Sequence, residues 1–218
     1  MRRAILATVL IFSALATPAR SAFIITVADQ TIPEGGTGTV DVTIRSTNLV
    51  SGDALSTFGF AFRITPSGPG GLNFSNPQSD AELTDPTYVF VGNSANFVTT
   101  SPLGSVSGDD YTGGDGTFDG SAVTVTTPRL LVRLDLAAAA GSAGQSFTIS
   151  LVNPSTSTFF RDANFNDVPF SSVAGTVRIT PVAVAVPEPG TLASALMGTA
   201  ALSTVLFLRG RRACPRPA

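Results

Sequence analysis

Carboxylates are the only side chains here that offer acid–base or metal chemistry. The chain has no His; its thirteen basic residues are all Arg, and its single Cys is Cys214. A Ser-His-Asp triad, a Cys-His pair, a Ser-Lys dyad and a His/Cys zinc site are therefore excluded. A carboxylate-based hydrolase needs two Asp or Glu flanking a cleft. Before the C-terminal segment the chain has only two Glu, Glu34 and Glu82, and most Asp residues sit in Gly-rich stretches. Such Asp residues commonly serve backbone hydrogen bonding in turns. The expectation is a protein that is not an enzyme. The alternative is a secreted polysaccharide hydrolase working through Glu34, Glu82 and the loop Asp residues.

The same oxygens could serve calcium. Residues 107–120, SGDDYTGGDGTFDG, carry Asp109, Asp110, Asp115 and Asp119 in what reads as a flexible loop. Asp162, Asn164 and Asn166 open like a calcium loop, but Val168-Pro169 replaces the glycine turn and no Glu follows at the bidentate position. The competing readings are a solvated surface loop for the first segment and a tight Asx-type turn for the second. No other cofactor is expected. Tyr88, Tyr111 and surface Phe residues could form a carbohydrate platform, but there are two Tyr and no Trp, and core packing accounts for most of the fifteen Phe.

The elements that must position these residues are strands. Val40, Val42 and Ile44 alternate with polar neighbours, as do Phe58, Phe60, Phe62 and Ile64. Leu130, Val132, Leu134 and Leu136 form a third series against Leu131, Arg133 and Asp135. Phe147, Ile149 and Leu151 form a fourth, and Val177 and Ile179 close the set. Shorter candidates are Ile24–Val27, Leu72–Phe74, Tyr88–Val91 and Val123–Val125. Helical periodicity is absent between the termini. Short strands separated by Gly, Pro, Ser and Asn predict an all-β antiparallel sandwich or barrel, with the Phe58/Phe60/Phe62 strand at its centre.

Both ends of the chain read as addresses. Arg2 and Arg3 precede an apolar run from Ala4 to Ala16 and then small residues, the order of a secretory signal peptide cut after Ala19 or Ala22. Between residues 23 and 186 six Arg face fourteen Asp and Glu, so the exported part is near −8 while the whole chain is −2. An acidic body without a basic cluster argues against nucleic acid and anionic lipid. No disulfide can staple it, so its stability must come from apolar burial. At the other end, Val186-Pro187-Glu188-Pro189-Gly190 precedes an uncharged run from Thr191 to Leu208, then Arg209, Arg211 and Arg212. As a helix that run would be about 27 Å long, close to the hydrocarbon core of a bilayer. The prolines fix its start, and the arginines place the tail inside and the domain outside.

This order of Pro-Glu-Pro, apolar helix and Arg cluster resembles the PEP-CTERM sorting signal. The resemblance implies processing by exosortase, a membrane transpeptidase-like protease of Gram-negative bacteria that make extracellular polysaccharide. Pro187, Glu188 and Pro189 would then be recognition residues for that enzyme. A polar helix (Thr199, Ser203, Thr204) and a tail running on to Ala218 depart from the family pattern.

The body shows a second resemblance. The segments GTVDVTIR, TFGFAFRITP, GLNF, LLVRLDLAAAAGSAGQSFTISL and FFRDANFNDVPFSSVAGTVRI are similar to the cohesin-type jelly-roll sandwich over about residues 25–180. Residues 92–128 match poorly. Cohesins bind dockerin modules, which implies noncovalent binding, but no dockerin-contact residue carries over. The expected map is a signal peptide at 1–22, a cohesin-like sandwich at 23–182, a linker with the Pro-Glu-Pro motif at 183–190, a transmembrane helix at 191–208 and a basic cytoplasmic tail at 209–218. The expected function is that of an exported cell-surface or matrix protein. Signal peptidase and exosortase would process it, the helix would hold it in the membrane meanwhile, and its role would be structural or adhesive in exopolysaccharide or biofilm. A permanently tethered single-pass binding protein is the alternative.

Overall fold

Alternating burial along the strands sets the architecture. The computed structural model describes residues 22–66, 70–153 and 156–182. The expected leader up to Ser21, the motif Val186–Gly190, the apolar span 191–208 and Arg209, Arg211 and Arg212 lie outside the described residues.

Fourteen strands, numbered in chain order, form two sheets and a ribbon. The first sheet runs β13 (Phe170–Val173), β1 (Phe23–Val27), β3 (Thr37–Ser46), β10 (Arg129–Ala138), β6 (Leu72–Phe74). The second runs β2 (Gln30–Pro33), β14 (Gly175–Thr180), β11 (Ser146–Leu151), β5 (Thr57–Thr65), β8 (Asp110–Gly116), β7 (Gly104–Ser107), and β12 (Phe159–Arg161) also pairs with β5. The ribbon joins β4 (Asp53–Leu55) to β9 (Val123–Val125). A 3-10 turn at Ala81–Thr84 and a short helix α1 at Ala95–Thr99 lie between β6 and β7. No helix among the described residues is long and apolar enough to cross a membrane.

The inner faces share one core. Val40, Val42 and Ile44 on β3 and Phe58, Phe60, Phe62 and Ile64 on β5 are buried, as the alternation predicts. The rings bridge the sheets: Phe23 of the first meets Phe160 of the second at 6.0 Å, and Phe74 of the first meets Tyr111 of the second at 5.9 Å. Aromatic pairs at such separations add to the gain from area burial alone.

Four expectations need correction. The sandwich is not purely antiparallel: β1 pairs with β13, and β2 with β14, both in parallel. The chain switches sheets at Ala28-Asp29 and again at Ala174, so its first and last described strands run side by side through both switches. Thr176 N–H donates to Asp29 at 2.7 Å there, and a Cβ on Gly175 would come within 2.5 Å of the Ala28 carbonyl oxygen, so only glycine fits. Second, Leu131 is fully buried beside Leu130 and Val132, because the register of β10 shifts between Leu130 and Val132; a bulge turns two neighbours inward where strict alternation would expose one. Third, Tyr88–Val91 is a turn that buries Tyr88, Val89 and Phe90 and leaves Val91 exposed, and its one ladder contact is a parallel bridge from Tyr88 to Leu130. Fourth, residues 107–120 are not a flexible loop: β8 occupies their middle, paired with β5 along seven positions.

Phe60 is fully buried at the centre of the ring stack, 5.2 Å from Phe62 and 5.1 Å from Tyr111. Phe60→Ala should cost about 3–5 kcal/mol in urea unfolding, and Phe60→Asp should leave no cooperative melting transition. A Phe60→Asp variant that is secreted and melts like the parent would contradict this core.

Candidate functional site

The outer face of the larger sheet is built from the residues that alternate with its buried rings. On β5 these are Thr57, Gly59, Ala61, Arg63 and Thr65. Opposite them on β8 stand Gly116 across from Thr57, Gly114 from Gly59, Thr112 from Ala61 and Asp110 from Arg63. β11 adds Thr148 and Ser150, opposite Thr65 and Arg63, and β7 adds Ser105 and Ser107, opposite Thr112 and Asp110. Small side chains keep this surface close to the backbone, so it is flat and presents hydroxyls.

Across it runs a groove of about 580 Å³ lined by Thr57, Gly59, Thr112, Gly114, Ser157 and Phe159, among others. Gly59 makes room for its wall. A Cβ there would lie 2.6 Å from a ring carbon of Phe159 and 2.6 Å from the Ser157 carbonyl oxygen. The Arg161 guanidinium sits 4.5 Å from the centre of the Phe159 ring, a cation–π contact, and pairs with Asp167 at 2.9 Å. Arg63 holds Asp110 with two bonds of 2.7 and 2.9 Å. Those bonds keep the Asp110 carboxyl below its ordinary range.

The predicted calcium residues lie in two separate segments, and the side chains of Asp110, Asp115, Asp119, Asp162 and Asn166 have protein partners. Asp109 lies in the turn before β8, and its carbonyl accepts from Ile64 N–H. Asp110 is held by Arg63. Asp115 points inward and is buried, accepting from Tyr88 hydroxyl at 2.7 Å, Ser94 hydroxyl at 2.6 Å, Gly116 N–H at 2.8 Å and Asn96 N–H at 3.2 Å. Asp119 accepts from the Asn93 side chain at 2.8 Å and Ser121 N–H at 2.9 Å. The Asn93 amide, with Ser121, draws its carboxyl down to about 2. In the second segment Asp162 accepts from the Asn166 side chain at 3.0 Å and from the N–H groups of Asn164 at 2.8 Å and Asn166 at 2.9 Å. This is the geometry of a self-closed Asx turn. Among the described residues no three His, Cys, Asp or Glu side chains gather as a metal site.

The two Glu of the body serve separate structural places. Glu34, in the turn after β2, accepts from Gly141 N–H. Glu82, in the 3-10 turn, is fully buried and lines no cleft. Four surface grooves among the described residues are each lined by one carboxylate: Asp115, Asp29, Asp135 or Asp167. The pair of flanking carboxylates that the hydrolase reading needs is therefore not assembled in any of them. Tyr88 and Tyr111 are also fully buried, so they form no carbohydrate platform. Sequence reasoning missed Phe159, Arg161 and the groove they wall. The only local signal was the FFR triplet, too short to show period.

No family model matches the chain, and no curated protein matches it in sequence. Solved structures do. The seventh ScaB type I cohesin of Pseudobacteroides cellulosolvens superposes with a TM-score of 0.55 at 9% identity, covering 77% of this chain and 97% of that one. The third ScaC cohesin of Acetivibrio cellulolyticus, solved in complex with the ScaB dockerin, gives 0.52 at 8% identity, covering 72% and 99%. The OlpC cohesin of Clostridium thermocellum, solved in a type I cohesin–dockerin complex, gives 0.51 at 12% identity, covering 74% and 95%. At these identities the likeness is one of fold: the body of this chain is a cohesin-like β-sandwich.

Asp115 fastens residues 88–96 to β8. Asp115→Ala leaves the buried Tyr88 hydroxyl without an acceptor and should cost about 3 kcal/mol, against about 1 kcal/mol for Tyr88→Phe. Urea unfolding measures both. If Asp115→Ala proves no worse than Asp109→Ala, the clamp is not structural.

Proposed function

We propose that this protein is a non-catalytic binding module, exported and sorted by exosortase, that holds a protein partner of the extracellular matrix on the outer face of its larger sheet. The observation that carries the reading is that face itself. It is flat, floored by Gly59 and Gly114 and dressed with Thr and Ser hydroxyls, and an aromatic ring and two Arg-carboxylate pairs lie along it. Such a surface accepts another folded surface without a deep pocket, and a half-buried ring beside a guanidinium, here Phe159 beside Arg161, is a good anchor for it. The cohesin fold supports the reading, because two of the similar cohesins were solved bound to dockerins. None of the four grooves described above is lined by a pair of carboxylates, which fits a role without catalysis. Delivery rests on the tail: the apolar run inserts, exosortase cuts near Pro187-Glu188-Pro189, and the acidic sandwich joins the exopolysaccharide or biofilm as a structural or adhesive component.

Two measurements test this. Mass spectrometry of the mature protein should find a C-terminus near the Pro-Glu-Pro motif; an intact tail through Arg211 and Arg212 would favour permanent tethering instead. Thr112→Arg and Ser150→Arg should at least halve retention in the matrix fraction at unchanged melting temperature. Thr39→Arg, on the other sheet, should not. Equal retention of all three would remove the face from the account.

A further inference from the structure

Among the described residues four buried polar side-chain atoms lack a hydrogen-bond partner, and three of them, Asp80 Oδ1, Glu82 Oε2 and Tyr111 Oη, belong to one neighbourhood. The charges of Asp80 and Asp135 act on Glu82, those of Asp80, Glu82 and Asp135 act on Tyr111, and that of Asp135 acts on Asp80. No cation faces Glu82. The partners of its carboxyl are backbone N–H groups, its own and that of Arg133 at 3.2 Å. The Arg133 guanidinium turns away to Asp41 at 2.6 Å and Asp85 at 3.3 Å. The remaining titratable group nearby is Tyr88, whose hydroxyl is given to Asp115. An ionised Glu82 would thus be a fully buried charge among carboxylates and neutral phenols, which is costly unless a proton neutralises it.

We propose that Glu82 is a proton-gated latch: its carboxyl holds a proton while the 3-10 turn Ala81–Thr84 sits on β10, and loss of that proton loosens the turn. Burial, the largest cause, pushes this carboxyl from its ordinary 4.5 up to about 7. The folded protein therefore keeps a proton that the unfolded chain releases. The resulting stability is present at acidic pH, falls as pH rises from about 4.5 through about 7, and is gone above that. A module latched in acid and looser at neutral pH would answer to the acidity of its surroundings.

The chain holds only three Glu, at positions 34, 82 and 188, so its side-chain carboxyl carbons can be followed one by one in glutamate-labelled full-length protein by NMR. The Glu82 signal should titrate near neutrality, well above the ordinary 4.5 of a glutamate carboxyl. Thermal melting should fall by several degrees between pH 5 and pH 8 for the wild type, and E82Q, which mimics the protonated form, should lose that fall and exceed the wild type at pH 8. A Glu82 signal that titrates near the ordinary 4.5 overturns the proposal. So does a melting temperature that responds to calcium at pH 8 rather than to pH, which would make the cluster a metal site. Should E82Q fail to fold, the wild-type titration still decides.

Discussion

The phenylalanine row of β5 must leave water, and the rest of the sandwich depends on that constraint. Phe58, Phe60 and Phe62 are covered only if a second sheet lies against them, and the ring contacts across the gap, Phe23 with Phe160 and Phe74 with Tyr111, show how that cover is made. A fully buried Phe contributes roughly 1.5–3 kcal/mol, and no disulfide stands in for it, because the one Cys lies at position 214. Packing the rings inward fixes what faces outward. The positions between them are Thr57, Gly59, Ala61 and Arg63, so the flat face and its groove are the reverse side of the same strand.

Closure of the sandwich depends on the chain's two ends. β1 and β2 change sheet together with β13 and β14, and parallel pairing at both edges ties the start of the body to its finish. Between β6 and β7 the described chain makes its longest excursion, residues 75–103, and two buried acids hold it, Asp115 from β8 and Glu82 from within the excursion. Asp115 is saturated with donors, whereas Glu82 has too few. The first is a permanent clamp. The second is the place where protonation can alter the fit of the excursion.

Much of this was legible in the sequence, and the rest was hidden for identifiable reasons. β3, β5, β11 and β14 were readable because one face of each is apolar and the other polar, which is the period of a half-buried strand. β8 was hidden because its inward row reads Tyr111, Gly113, Asp115, with too little apolar content to show alternation. Its pairing with β5 supplies what its composition does not. Tyr88–Val91 gave the opposite error, since a short apolar run can bury most of its side chains, here Tyr88, Val89 and Phe90, equally well from a turn. The parallel edges could not be read, because their partners lie 147 residues apart and no local pattern records a sheet switch. At the candidate site the carboxylates were visible as residue types, but their partners were not: Asp115 meets Tyr88 and Ser94 only after folding. Phe159 reaches the groove because Gly59, a hundred positions earlier, has no side chain.

The central claim is that the flat face of the larger sheet meets another protein. Hydrogen-exchange footprinting of the sandwich, free and in the presence of exported matrix proteins from its host, tests this most directly. The account predicts added protection along β5, β8 and β11 around Ala61, Thr112 and Ser150, with the first sheet unchanged. Protection confined to β3 and β10, or none on either sheet, would contradict it.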